Sequence, residues 1–470
     1  MIKSIYNYDI DYSLIKDIDP NILKQYSIIP IEKNELFIMI ATSNNHLDIK
    51  DLNTIFNFPI KLIYLSSSDL EFELKYIRLK KELFRVSTQA INFIDIQTEN
   101  SYILEFLELI LEFSIKNFVS DIHIECLDKS VIIRLRLDGV LQQYFRFDIM
   151  LYPIISSIIK FLSNLDISQK RVPLDGRFTK SIDNYSYDFR VSTVPTIFGE
   201  SIVLRVLDNK NIKKNIDLIG FDDNSLSIIK NRLQLTQGLI LITGPTGSGK
   251  TTSLYSMLNY INKKEKKVIT IEDPVEYKLD GVIQININTD INLDYHTVLK
   301  NILRQDPDIL MIGEIRDTIS LNIALRAALT GHLVISTLHT NNSIETISRL
   351  IDLKAEPYLV ATTLKMVLSQ RLLRQLCPKC KLYNNDTGYY TANGCKDCNF
   401  TGYYKREIVS EVLQIDEKIS KMISKNKTIL DILHKAQKHG FKTLQDNGTD
   451  MLKKGLTSQD EYISKISDDI

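Results

Sequence analysis

The segment GPTGSGKTT brings Gly244, Pro245, Thr246, Gly247, Ser248, Gly249, Lys250, Thr251 and Thr252 into the spacing Gly-x4-Gly-Lys-Thr. This set of residue types suits a phosphate chain. The glycines let backbone N–H groups wrap an anion, Lys250 supplies a point charge to the outer phosphates, and the Thr251 hydroxyl is placed to ligate Mg²⁺. The apolar run GLILIT stands directly before the loop and a helix-length segment runs from Lys250 to about Asn262. Strand, loop and helix therefore follow in the order that aims the positive end of a helix dipole at the phosphates. A chance glycine loop lacks these flanks, so this segment predicts nucleoside triphosphate binding.

Hydrolysis needs acidic groups near the terminal phosphate. The run DILMIGEIRD ends in Glu314, with Gly313 where many phosphate-loop enzymes place an Mg²⁺-binding aspartate. Glu314 is thus expected to act on the metal through water, or on the attacking water itself. A second acidic group, Glu272, Asp273 and Glu276 in TIEDPVEY, reads either as catalytic or as a solvated turn. His332 and His339 bracket the strand in GHLVISTLHT, near opposite ends and on opposite faces if side chains alternate. One fits a γ-phosphate sensor and the other a subunit contact, against the alternative of ordinary core or surface histidines.

CPKC (Cys377, Cys380) and CKDC (Cys395, Cys398) form two CxxC pairs. Paired thiolates at this spacing complete a tetrahedral Zn²⁺ site, and all four positions would be filled by protein, so the metal is expected to be structural. Redox disulfides and free buried thiols are the alternatives. Cys126 reads as an ordinary small residue. Arg190 in DFRVST and Arg205 in VLRVLD lie on predicted strands. Each suits a phosphate reached in trans, because the guanidinium fork stays charged and pairs with two oxygens. Surface salt bridges are the plainer reading.

These residues need a framework, and 470 residues exceed one compact core. Hydrophobic residues make up 44% and charged residues 25%, ordinary values for a globular chain. Lys plus Arg and Asp plus Glu number 58 each, which removes any global field that would recruit nucleic acid or an anionic membrane. The amino terminus lacks a signal-peptide pattern and no apolar run spans a bilayer, so a cytoplasmic location is expected. Four cysteines in CxxC pairs fit a reducing compartment.

Residues 1–95 read as a small α+β unit, with strands in IIPI, LFIMIA and KLIYL and a helix in SSSDLEFELKYIRLKKELF. From 96 to 208 an amphipathic helix, SYILEFLELILEFSIKNF, precedes alternating strands in DIHIE, VIIRLRLDG and YDFRVSTV. A polar linker is expected over 209–218. From 219 to 470, apolar strands GLILIT, KVITIE, DILMIG and HLVIST alternate with helices, the mark of βαβ crossovers and a parallel sheet, with the cysteine region at 377–398 inserted.

Together these segments resemble the traffic ATPases of type II secretion and type IV pilus assembly. SDIHIE, RLRLDGVL, RVPLDGRF and FRVSTVPTIFGESIVLRVLD are similar to the family's second amino-terminal domain. GPTGSGKTTSLY, TIEDPVEY, LRQDPDILMIGEIRD and ALTGHLVISTLHTN resemble its phosphate loop, Asp box, second acidic strand and His box, and QRLLRQLCPKC with GCKDCNFTGYYKRE its tetracysteine region. The resemblance implies an α/β phosphate-loop motor domain with a mainly parallel sheet, preceded by a PAS-like α+β domain and a small α+β domain, with a zinc-knuckle insert. It implies that Gly244–Thr252 hold ATP–Mg²⁺, that Glu272 and Glu314 organise the attacking water, that His332 and His339 form the His box, and that Arg190 and Arg205 approach a nucleotide phosphate from the second domain.

It further implies a homo-hexameric ring on the cytoplasmic side of the inner membrane. That ring would hydrolyse ATP to power assembly of a secretion pseudopilus or pilus, for protein secretion, pilus biogenesis or DNA uptake, by passing domain motion to a membrane platform protein. Residues 1–95, the weakest match, are expected to dock on a membrane-bound adaptor. Lys300, Leu174 and Asn342 depart from the family pattern, away from the phosphate loop. Two alternatives stand beside assembly: a retraction ATPase, whose members typically lack the tetracysteine insert, and a zinc-containing DNA-translocating ATPase, disfavoured by neutral charge and no basic aromatic stripe.

Overall fold

The computed structural model describes residues 5, 8, 10–92, 101–207 and 215–466. The chain divides into two compact units, one of Met1–Asp208 with Asn393–Tyr403, the other of Asn209–Ala392 with Tyr404–Ile470. Most of the linker expected at 209–218, and the expected boundary near residue 95, lie outside the described residues.

The first unit opens on a three-stranded sheet of β1 (Ile28–Lys33), β2 (Ile38–Thr42) and β3 (Ile60–Tyr64). β2 runs antiparallel to β1 and parallel to β3, as the crossover helix Ile49–Phe56 between them requires. Ile28, Ile29, Ile40, Leu52, Leu70 and Ile77 fill its core. The last two come from the long helix Ser67–Asn92, whose other face, with Leu83, Val86 and Ala90, joins the core of the following sheet.

That sheet holds six antiparallel strands: β4 (Asp121–Cys126), β5 (Ser130–Leu137), β6 (Val140–Asp148), β7 (Leu174–Ile182), β8 (Tyr185–Pro195) and β9 (Glu200–Leu207), in the order β6-β5-β4-β9-β8-β7. One face is apolar. Ile122, Ile124, Ile133, Leu135, Phe189, Val191, Ile202 and Leu204 alternate inward and meet the helices Ser101–Lys116 and Tyr152–Leu162. Within this unit Asn393–Tyr403 is tied to the long helix: the Tyr76 hydroxyl donates to Asn399 Oδ1 at 2.8 Å, Lys75 Nζ donates to the same oxygen, and Phe400 packs on the core.

The second unit is built on a seven-stranded sheet. Its strands are β10 (Gly238–Thr243), β11 (Val268–Glu272), β12 (Val282–Asn286), β13 (Ile309–Ile312), β14 (Leu333–Leu338), β15 (Leu364–Leu376) and, after the hairpin β16 (Leu382–Asn384) and β17 (Tyr389–Thr391), β18 (Tyr403–Gln414), ordered β12-β11-β13-β14-β10-β15-β18. β10 through β15 pair in parallel. Every residue of β10, β11, β13 and β14 is buried, which explains their unbroken apolar runs. Along β10, Leu239 and Leu241 face one helical layer while Ile240 and Ile242 face the other. Burying both sides of four strands fixes their register, and register fixes which residues emerge at the carboxyl edge. No helix among the described residues is long and apolar enough to cross a membrane.

Candidate functional site at the carboxyl edge of the parallel sheet

In an open parallel sheet the strand ends and the helices that follow them converge on one edge. Thr243 at the end of β10 is level with Leu338 of β14, Ile312 of β13 with Ser336, and Ile271 of β11 with Ile312. The residues emerging after these positions are the phosphate loop, His339, Glu314 and Glu272, so one edge collects segments spread over almost a hundred residues of sequence.

The loop turns through Gly244, Gly247 and Gly249 at φ of 140°, 79° and 88°. At Gly244 a side chain is excluded twice over, since an added Cβ would lie 2.5 Å from the Gln370 carbonyl oxygen and 2.7 Å from Ser248 Oγ. Gly249 is the N-cap of helix Lys250–Ile261, and Thr251 and Thr252 are exposed on its first turn. Lys250 Nζ reaches back over the loop and donates to the carbonyls of Gly244 at 2.6 Å and Pro245 at 3.0 Å. Burial pushes its ammonium down to about 8; Glu314 opposes the shift and the Arg371 guanidinium adds to it. A half-buried cation beside a second cation is a site that favours negative charge.

A pH dependence follows. Below about pH 8 Lys250 already carries the proton that a bound polyphosphate favours; above it, binding must take a proton up. Nucleotide affinity is therefore expected to fall as pH rises beyond 8, by roughly tenfold per unit until the bound-state pKa is reached. Titration of a fluorescent ATP analogue between pH 7 and 10 checks this, and Lys250→Ala should bind weakly with no such slope.

Glu314 follows β13 with its side chain 20% exposed. It pairs with the Arg316 guanidinium, and His339 Nε2 lies 3.6 Å from its other oxygen. The backbone on either side is fastened to β14: Thr337 Oγ1 donates to the Gly313 carbonyl at 2.7 Å and the Ile315 N–H donates to the Thr337 carbonyl at 3.0 Å. Gly313 is hemmed in, because a Cβ there would sit 3.2 Å from both the Ile271 carbonyl and the Tyr295 hydroxyl. A metal-binding aspartate at 313 has little room, which accounts for the departure noted in the sequence.

Glu272 is held differently. Only 4% exposed, it accepts from the Tyr255 hydroxyl, from Thr270 Oγ1 at 2.7 Å and from Gln284 Nε2 at 3.2 Å. Burial and the adjoining Glu272 carboxylate push the Tyr255 phenol far above its ordinary value, so the hydroxyl stays a donor. A carboxylate with three side-chain donors is fixed in place. Tyr255 and Thr270 lie within the quoted segments GPTGSGKTTSLY and TIEDPVEY and Gln284 in none, but nothing in the sequence pairs any of them with Glu272.

Of the two histidines, His339 joins this edge. His332 lies before β14, at the opposite end of the strand, where its Nδ1 is 3.0 Å from the Ala327 carbonyl and 3.3 Å from Thr330 Oγ1. Arg190 and Arg205 belong to the first unit, directly opposite one another on β8 and β9. They form part of a row across that sheet: Arg177 opposite Arg190, Arg205 opposite Asp121, and Asp121 opposite Arg136. Asp121 accepts from Arg205 Nε at 3.1 Å and pairs with Arg136 at 3.5 Å. Asp121 thus sits between two of the arginines of this row and offsets their repulsion.

The sulfur atoms of Cys377, Cys380, Cys395 and Cys398 lie within 4.8 Å of one another, and none of the four is in a disulfide. Cys398 Sγ accepts backbone N–H groups from Cys395 at 3.1 Å and Gly402 at 3.3 Å. These donors fix the position of the sulfur, and four sulfurs gathered this closely fit a zinc knuckle.

A family model described as Type II/IV secretion system protein matches residues 96–464. The chain is 32% identical to the type IV pilus assembly ATPase PilB of Myxococcus xanthus, over 99% of this chain and 89% of that protein. It is 38% identical to type II secretion system protein E of Aeromonas hydrophila, over 85% of this chain and 82% of that one. Among solved structures it resembles the pilus retraction motor PilT with bound ADP, at a TM-score of 0.54 and 27% identity over 76% of this chain and 95% of that chain. The ATPase DotB of Legionella pneumophila shares the fold, at a TM-score of 0.60 and 21% identity over 76% and 94% of the two chains.

Proposed function

We infer, since the chain belongs to the type II/IV secretion system protein family, that ATP cleavage at its Lys250–Glu314 edge powers assembly of a type II secretion pseudopilus or a type IV pilus. The chain is an ATPase. The observation that carries the reading is the meeting of an anion-seeking loop, Lys250, Glu314 and His339 on one sheet edge. The backbone amides of Gly244–Thr252 and Lys250 hold the phosphates. Thr251 would hold Mg²⁺, which supplies charge neutralisation on the phosphate oxygens. Glu314 orients and deprotonates the attacking water, Glu272 ties together the Tyr255, Thr270 and Gln284 side chains beside it, and His339 senses the terminal phosphate next to Glu314.

On this reading the chain works as a homo-hexameric ring in the cytoplasm, peripheral to the inner membrane. In that ring Arg190 and Arg205, side by side on neighbouring strands, reach a phosphate held by the parallel-sheet unit, a task that suits the two-pronged guanidinium. His332, at the far end of β14, fits a subunit contact better than a phosphate contact. Residues 1–95 dock on a membrane-bound adaptor, 96–208 form the arginine-bearing domain, and 219–470 form the motor, which pushes on a platform protein. Zn²⁺ on the four cysteines is structural.

The likeness to PilT favours a second reading, retraction, and one experiment separates the two. A strain lacking this chain should lose its surface filament or secreted substrate, and complementation with Glu314→Gln should not restore it. An excess of filaments in the deletion strain would assign the chain to retraction instead.

A further inference from the structure

β15 is level with β10, Ser369 beside Thr243, so Gln370 arrives where β10 gives way to the phosphate loop. Gln370 is wholly buried, and its Nε2 donates to the Ser248 carbonyl at 2.8 Å. The peptide that joins Ser248 to Gly249 is planar and trans, so its C=O and N–H point in opposite directions. Turning the Ser248 carbonyl toward β15 therefore turns the Gly249 N–H away from it, to the side on which Lys250 and Thr251 begin the helix. Gly249 at φ 88° is the residue that allows this peptide orientation, and a Cβ there would meet Gln370 Nε2 at 3.1 Å. The next residue, Arg371, is only 6% exposed and donates through Nη2 to the Asn341 carbonyl at 2.8 Å, two residues beyond His339. Ser369 Oγ donates to the same carbonyl at 3.2 Å. Three consecutive residues of β15 thus brace both the phosphate loop and the loop that carries His339.

We propose that Gln370 is a positioning residue of the nucleotide site, whose side-chain amide holds the Ser248 carbonyl so that the Gly249 N–H is presented to the phosphates. This rests on nucleotide binding at the loop and is independent of whether the motor assembles or retracts filaments. Such a backbone donor contacts the inner phosphates, which ATP and ADP share, and contributes equally before and during cleavage. Its loss is a loss of uniform binding, which raises KM and leaves kcat in place.

The test uses the full chain with magnesium and two substitutions, Gln370→Met, which keeps the length and removes the donor, and Gln370→Asn, which keeps an amide too short to reach Ser248. Each variant is expected to bind ATP and ADP about tenfold more weakly, by the same factor for both nucleotides, with kcat within about twofold of the parent and the thermal midpoint of the nucleotide-free chain shifted by no more than a few degrees. Parent-level affinity for ATP and ADP in a folded variant overturns the proposal, as does a fall in kcat with KM unchanged. If the unsubstituted chain binds neither nucleotide, the loop itself has been misread and the fault lies outside Gln370.

Discussion

Replacing Glu314 with glutamine leaves ATP bound about as tightly as in the parent chain and lowers kcat by about 10²- to 10⁴-fold. Glutamine keeps the volume and can still meet His339, but it can neither take a proton from water nor carry the charge that faces Arg316 and Lys250. Ground-state binding belongs to the loop amides and Lys250; losing the Glu314 charge weakens the hold of Lys250 on its proton but also removes a negative charge facing the phosphates, and the two effects oppose one another. The effect is large because the carboxylate is pre-placed: Thr337 and Ile315 lock the backbone on both sides of it to β14, so no reorganisation occurs when charge develops. Phosphate-release kinetics together with fluorescent-nucleotide titration make the measurement, and near-parent turnover removes Glu314 from the chemistry. Glu272→Gln gives a contrast. With its oxygens occupied by Tyr255, Thr270 and Gln284, Glu272 acts as a strut, so its loss should cost thermal stability along with turnover.

The phosphate loop was legible because its chemistry is local: glycines, lysine and threonine must follow one another directly. The parallel sheet was legible because strands buried on both faces read as unbroken apolar runs, as GLILIT and HLVIST do. Glu314 could be placed from the end of such a run. What could not be read were partners brought in across the sheet. Tyr255 approaches Glu272 from helix Lys250–Ile261, Gln284 from β12, and Gln370 meets the loop from β15, more than a hundred residues downstream. A buried polar residue inside an apolar strand is the one signal available, and SQR within LKMVLSQRLLRQL is such a signal, since burying Gln and Arg in a core strand is costly unless each finds a partner. His332 and His339 are an intermediate case. Their placement at opposite ends of one strand was legible and the six residues of β14 hold them there; what sequence left open was which of the two meets Glu314.

A chain carrying Cys395→Ser and Cys398→Ser together is expected to lose about one equivalent of zinc and the local fold around the two knuckles. Four thiolates at the usual Zn–S bond length stand about 3.8 Å apart in a tetrahedron, and Cys395 and Cys398 already show an Sγ separation of 3.8 Å. The turn is built for that geometry. Gly394 at φ 94° brings its backbone so close to the next turn that a Cβ would lie 2.6 Å from the Phe400 carbonyl, and the Cys395 and Gly402 amides point at Cys398 Sγ. Disulfides would need sulfurs about 2.05 Å apart and would draw the pairs together. Serine removes the thiolate while keeping the size, so the change tests metal ligation and leaves packing almost as it was. Because binding energy at a structural zinc is folding energy of the segment that holds it, limited proteolysis should cut the double variant between Cys377 and Tyr403 where the parent resists. Nucleotide binding should persist, since the phosphate loop draws its support from β10, β14 and β15. Elemental analysis decides the matter: zinc absent from parent protein purified without chelator overturns the metal site, and zinc retained by the double variant shows that the other two cysteines hold it without these two.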